Sequence, residues 1–441
     1  MKLGRKKIVL LLIAVSFFIS KPVFSVYYES GAGVGFEYTD NATLVKDNTI
    51  DELISTGYVG ARFFETKGAL TYDTATTVNI SHYANDSFED QQNFNLIANA
   101  NWVAVENRLD LFLRDVFSQR TINAFDLNTP NNLQNSNAFT FGGNIKFPIS
   151  GRQNFIITPL YNQFYFEELT TDNKQYTLSA NWVYQLFHLT SVGLSFNTRE
   201  IDYTENDEFG LSIDDIRFTN LAIVFSGERT QSVFTLNLGQ TKVKRDSGQE
   251  TDAFSGFFNW LTDVSSRSTF ETRISTALTD STRVGLTGGP NGGSLEGIEV
   301  TTDVIRNSFI FMEYFREDAV FNSRLTARLN KIKYSDNSQL DREIAGYDIR
   351  FGYPVTQLLS SGLYMIFNRI EEIESARIDK RVTVGANLNY RFSRKLNGNF
   401  DVKYRNRRST IDSADFDALA VFVSLSYGFG GVNRPTADGG F

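Results

Sequence analysis

Apolar and polar residues alternate with a period of two through much of this 441-residue chain, and that alternation constrains the fold more than any other feature. Leu419, Val421, Val423, Leu425, Tyr427 and Phe429 alternate with Ala420, Phe422, Ser424, Ser426 and Gly428. The segment before it sets Leu396, Gly398, Phe400, Val402 and Tyr404 against Asn397, Asn399, Asp401, Lys403 and Arg405. Far upstream, Tyr176, Leu178, Ala180, Trp182 and Tyr184 repeat the pattern with one interruption at Val183. A helix with this spacing would spread its apolar groups around the whole circumference. A strand gathers them on one face.

The connections alternate as well. Short turns fall near Glu65–Gly68, Glu106–Asn107, Ser150–Gly151, Phe187–His188, Gly227–Glu228, Ser265–Ser266, Glu317–Asp318, Gln357 and Ser393–Arg394. Aromatic residues flank them: Phe64, Trp102, Phe147, Phe187, Phe225, Trp260, Phe315, Tyr353 and Phe392. Between them lie longer polar stretches such as 40–51, 85–92, 124–136, 204–210, 245–251, 282–298 and 410–415. One hairpin per roughly forty residues predicts an all-β fold, a transmembrane antiparallel up-and-down β-barrel of about 20 strands (18–22), with short periplasmic turns and longer outer loops. Lipid tolerates no unpaired backbone groups, so the last strand has to pair with the first, near Tyr27 to Tyr38. Segments 155–166 and 303–316 are apolar on both faces, which leaves their register open.

Composition agrees with a barrel. The 39 Phe and 19 Tyr beside only 7 Pro suit strands, and frequent polar residues offset them. Without Cys, disulfides, thiolate metal sites, a cysteine nucleophile and a lipoprotein anchor are all excluded. Lys2, Arg5, Lys6 and Lys7 precede an apolar run from Ile8 to Ile19, too short for a comfortable membrane helix, so residues 1–25 read as a cleaved signal peptide. The barrel is then expected over 26–441, with a short C-terminal tail at 430–441. Its 38 basic and 51 acidic residues argue against nucleic acid as a partner.

The chain offers little catalytic chemistry. His82 and His188 are its two histidines; one is placed near the outer end of a strand and the other in a turn. Ser81 neighbours His82 and would point to the opposite face. The carboxylate pairs Glu167–Glu168, Glu371–Glu372 and Asp214–Asp215 read as solvated loop charge, and Gly288–Gly293 lacks the ending of a phosphate loop. No enzyme, cofactor or metal site is expected. The acids Asp47, Asp51, Glu52, Asp86, Glu89, Asp90, Glu205, Asp207 and Glu208 read as outer-loop solvation.

Charge placement offers more. Arg324, Arg328, Arg342, Arg350, Arg381, Arg391, Lys403 and Arg405 fall on predicted inward positions, with Asp348 and Asp401 among them. They form either an Arg–carboxylate ladder stiffening the wall or a basic strip that contacts an anionic solute or polymer. Leu425, Tyr427 and Phe429 resemble the aromatic-terminated final strand read by the barrel assembly machinery, although the tail departs from the usual form.

Gly35-Phe36-Glu37-Tyr38-Thr39-Asp40-Asn41-Ala42-Thr43-Leu44 and the stretch from Trp102 to Arg114 resemble the outer-membrane barrels associated with PEP-CTERM and exopolysaccharide gene clusters, the "β-barrel porin 2" type. That resemblance implies a role beside exopolysaccharide secretion, with secretion components as partners. The expectation is a cell outer-membrane pore for a hydrophilic solute or exopolysaccharide, surrounded by lipid and lipopolysaccharide. The alternatives are a structural or attachment barrel with an occluded lumen and, more weakly, an outer-membrane hydrolase.

Overall fold

The computed structural model describes residues 27–123, 126–127, 129–204, 213–282 and 299–428. The expected signal peptide, Phe429, the 430–441 tail, Gly288–Gly293 and the acids Glu205, Asp207 and Glu208 lie outside them. Twenty antiparallel strands follow one another around the wall. The first ten are β1 (Tyr27–Thr39), β2 (Glu52–Glu65), β3 (Leu70–Tyr83), β4 (Gln91–Val105), β5 (Leu109–Thr121), β6 (Leu133–Ser150), β7 (Gln153–Phe166), β8 (Asn173–Phe187), β9 (Thr190–Tyr203) and β10 (Ile216–Arg229). The second ten are β11 (Ser232–Arg245), β12 (Glu250–Ser265), β13 (Ser268–Asp280), β14 (Val304–Glu317), β15 (Asn322–Tyr334), β16 (Arg342–Pro354), β17 (Leu359–Glu372), β18 (Ile378–Arg391), β19 (Leu396–Ser409) and β20 (Phe416–Gly428).

Closure is complete. β20 returns to β1 in a register running from Gly31 opposite Gly428 to Thr39 opposite Ala420. The seam is tight because Gly33 has no side chain: a Cβ there would lie 2.3 Å from the Tyr58 ring and 2.8 Å from the Leu425 carbonyl. Tyr58 packs into that space and is buried.

The alternation places Val34, Phe36, Leu178, Leu221, Ile223, Leu363, Leu388, Phe400 and Val423 on the outside, where each is two-fifths or more exposed. In water such a belt would be a liability; in a bilayer it is the lipid contact. Strands of 13 to 18 residues exceed the roughly 9–11 that a crossing needs. The excess lies on the long-loop side, where outward positions turn charged: Leu238 is followed by Gln240, Lys242 and Lys244, and Leu329 by Lys331 and Lys333. The barrel wall therefore rises above the apolar band at its outer end.

Eight of the nine expected turns fall in the observed gaps between strands. The other moves to Thr230–Gln231, because β10 and β11 stay paired out to Arg229 opposite Ser232. In the β2–β3 turn Gly68 has a φ of +94°, a backbone shape that disfavours side chains. Of the turn aromatics, Trp102, Phe147, Phe187, Trp260, Tyr353 and Phe392 are exposed as a girdle. Phe64 and Phe315 are not part of it. They share the lumen face with Arg62 and Arg324, whose guanidinium groups lie 4.8 and 5.3 Å from the ring centres.

Candidate functional site

The lumen has two unlike halves. Toward the periplasmic turns its wall is polar: Asn99, Asn101, Arg114, Asn389 and Arg391 occupy exposed positions on the inward face. Toward the outer loops the inward face becomes buried, with apolar clusters standing among buried polar side chains such as Gln134, Gln175 and Arg342. Ile201, Ile216, Phe218, Val243 and Ala253 form one cluster with Leu278 and Val304. Ile305, Ile332, Tyr334, Ile344 and Ile370 form a second, and Ala138, Phe164 and Phe166 a third with Val300. A fourth joins Leu44, Phe416 and Ala418 to Leu127 from the β5–β6 connection.

The first cluster contains a departure from the barrel rule. Leu278 and Val304 share the parity of Ile274 and Ile310, which face outward and are 43% and 36% exposed. Yet both pack against inward side chains of β9 to β12. The pairing of β12 with β13 ends at Gly256 opposite Thr276, although both strands continue beyond it. Above that point the ends of β13 and β14 tuck inside the wall, so their outer faces press on the inner face of their neighbours.

A buried ion pair holds the tuck. Arg199 on β9 and Asp280 at the end of β13 meet at 2.8 Å with side chains 4% and 0% exposed. Arg199 also lies 4.5 Å from the Phe218 ring centre, and Gln175 Nε2 donates to Asp280 Oδ2 at 3.1 Å. These contacts join β8 and β9 to a strand four or five places further round the wall. Ser281 clamps the other limb, donating to the Thr301 carbonyl at 2.7 Å and accepting from the Thr301 N–H at 2.8 Å. The Tyr334 hydroxyl donates to the Glu299 carbonyl at 3.0 Å, so the foot at 299–304 touches β15 as well. Near it, burial and the adjacent Asp336 raise the Asp303 carboxyl above its ordinary value, against the pull of the backbone N–H groups of Asp336 and Asn337.

The eight basic residues singled out by pattern all face inward, but at different heights. Arg381 is opposite Arg407, Thr383 opposite Arg405 and Gly385 opposite Lys403, so these three lie within a few residues of one another. Arg391 is ten positions further along β18 and donates to the Gln357 carbonyl in a periplasmic turn at 2.9 Å. Arg342 is fully buried near the second apolar cluster, donating to the Leu340 carbonyl at 3.1 Å. Arg350 grips Asp348 through two nitrogens, Arg324 lies 3.7 Å from Glu313, and Arg328 donates to Asn368 at 2.8 Å. Lys403 and Arg405 share Glu37 at 3.6 and 3.9 Å, while Asp401 accepts from the Tyr364 hydroxyl at 3.1 Å.

Arg324, Arg350, Lys403 and Arg405 are paired with carboxylates, whereas Arg328, Arg342 and Arg391 donate to neutral oxygens. Four charged residues of this network were not singled out in the sequence: Glu37, Glu313, Asp379 and Arg407, the last two meeting at 2.6 Å. His82 stands in an exposed pair with Asp90 at 2.9 Å. Among the described residues, no group of three His, Asp or Glu side chains could hold a metal ion.

A closed, 20-stranded antiparallel barrel with an apolar outer belt is the fold of outer-membrane barrel proteins. A solved structure agrees at that level. The chain is similar to the FrpB iron transporter of Neisseria meningitidis (F3-3 variant), with a TM-score of 0.50 and 10% identity over 91% of this chain and 81% of that one. The siderophore receptor PirA of Pseudomonas aeruginosa aligns with a TM-score of 0.47 and 14% identity over 93% and 81%. No family model and no curated protein matches the sequence.

Proposed function

We propose that this barrel is an outer-membrane channel for a hydrophilic solute, closed at rest by the tucked segment at its outer end. The observation that supports it is the contrast along the lumen. A wall lined by Asn and Arg has no purpose in a solid plug, and a seal of Ile, Phe and Val has none in a permanently open porin. No chemistry beyond passage is assigned to it.

The solute is read as a hydroxyl-rich polymer or its fragments. Support comes from the resemblance of residues 35–44 and 102–114 to exopolysaccharide-associated barrels, and from Asn side chains that can donate to and accept from hydroxyls. Outer-membrane location follows from the same reading, with export directed by residues 1–25. The occluded attachment barrel is the second reading, and the seal itself favours it.

Planar-bilayer recording separates the two. The channel reading expects little conductance from the wild-type protein and clear openings when Ile305→Asp and Ile332→Asp place carboxylates in the second apolar cluster. Silence in both would transfer the seal to the attachment barrel. Large, steady conductance in the wild type would mean that the clusters do not close the lumen.

A further inference from the structure

The tuck has a consequence on the outside of the barrel. Where β13 and β14 turn inward, the outer wall becomes concave, and a groove of about 560 Å³ crosses it from β11 to β17. Its walls are Leu236, Leu238, Phe254, Ile274, Ile310 and Leu329, all from the lipid-facing set. Its floor is small, with Gly256, Thr276 and Ser308 at the point where β12 and β13 part.

The upper end of the groove is charged. Lys331, Glu343 and Arg369 line it. One step further along β14 and β15, Arg306 and Lys333 stand directly opposite each other, exposed on the same outward face. Lys331 is neutralised by Glu343 and Arg369 by Glu371. Among the described residues Arg306 and Lys333 have no such acid. Like charges directly across a sheet repel and are disfavoured unless an anion sits between them.

We infer that this groove is a binding site for an anionic outer-leaflet lipid, with an acyl chain along the Leu–Ile–Phe walls and a headgroup phosphate between Arg306 and Lys333. Three observations meet there: an apolar cleft within the lipid-facing band, an uncompensated cationic pair at its upper mouth, and a floor of Gly, Thr and Ser that leaves room for a chain. A lipid has this polarity and orientation, tail inward toward mid-membrane and phosphate toward the outer surface. Filling the groove also covers the edge of β12 above Gly256, where pairing with β13 has ended.

The test titrates purified barrel in detergent with a diacyl phosphatidylglycerol, and in parallel with the matched phosphatidylcholine, counting bound lipid by native mass spectrometry. Phosphatidylglycerol should bind at least about tenfold more tightly, since each cation near a phosphate contributes about fivefold. Ser308→Trp, which fills the floor, should abolish that preferred binding. Arg306→Gln with Lys333→Gln should remove the preference while leaving the apolar cleft intact. Thermal shift of electrophoretic mobility shows that each variant is folded, and Val423→Trp on the distant wall is the control that should bind as wild type. Equal binding of the two lipids by the wild type, or a preference that survives either groove variant, would overturn the proposal.

Discussion

Replacing Asp280 with Ala should open the outer seal. The substitution leaves Arg199 only 4% exposed, over the Phe218 ring, with its ionic partner gone. Breaking a buried pair by removing one member costs about 3–5 kcal/mol, because the remaining charge is left uncompensated. The barrel wall need not unfold to relieve that cost: the tucked end of β13 can swing away and let water reach the guanidinium. The penalty therefore falls on the closed state alone and shifts the closed-to-open ratio by about two to three and a half powers of ten. Single-channel recording at fixed voltage should show long openings in the variant where the wild type is nearly silent. Arg199→Leu combined with Asp280→Leu removes both charges and keeps the apolar contact, so it should return the channel toward silence. Unchanged open probability in Asp280→Ala would refute the claim that this pair holds the seal. Equal opening in the double variant would show that packing, not an unpaired charge, is responsible.

Other perturbations address the wall itself. Leu388→Arg, on the lipid face, should destabilise the barrel by about 2–4 kcal/mol in urea titrations in bilayers, with little effect from Asn387→Arg on the lumen face. Gly33→Val should impair closure of β1 on β20 by at least about 1–3 kcal/mol, read as loss of the heat-modifiable folded band, since a side chain there meets Tyr58 and the Leu425 carbonyl. In the opened Asp280→Ala background, Arg405→Ser should move the reversal potential toward cations, because Glu37 then keeps Lys403 alone; no movement would make the ladder purely structural. N-terminal sequencing of protein recovered from outer membranes should begin near Val26, and a retained Met1 would contradict export by cleavage.

Most of the wall was legible because a strand's side-chain period is local. Leu178, Leu388 and Phe400 needed only their neighbours to be assigned to the lipid face, and turns such as Glu65–Gly68 announced themselves by composition. The inward packing of the β13 and β14 ends was not legible in that way. Leu278 and Val304 obey the outward parity of their strands and still end up inside, because contacts with Arg199, Ile201 and Val243, distant in sequence, reverse the meaning of "outward" there. A signal was nevertheless present. The segments at 155–166 and 303–316, whose two-sided apolarity obscured their register, carry Phe164 and Phe166 into one cluster and Val304 and Ile305 into two others. Two-sided apolarity in a barrel strand marked burial on the lumen side as well as contact with lipid. The charge ladder was half visible. The inward Arg and Lys could be read from alternation, but Glu37 lies across the closure from Lys403, on the first strand, and no local pattern connects them.

The lack of any cysteine in the chain makes the central claim directly measurable. Single cysteines placed at Asn101 and Asn389 face the polar half of the lumen, while one at Asp51 stands in an outer loop and one at Leu388 faces lipid. Intact cells are treated with a bulky, membrane-impermeant maleimide, and the same protein is then treated after the outer membrane has been opened. A barrel sealed at its outer end should label at Asp51→Cys in intact cells, and at Asn101→Cys and Asn389→Cys only after opening, with Leu388→Cys slow throughout. Labelling of the two lumen sites in intact cells as fast as the loop site would contradict a closed outer end.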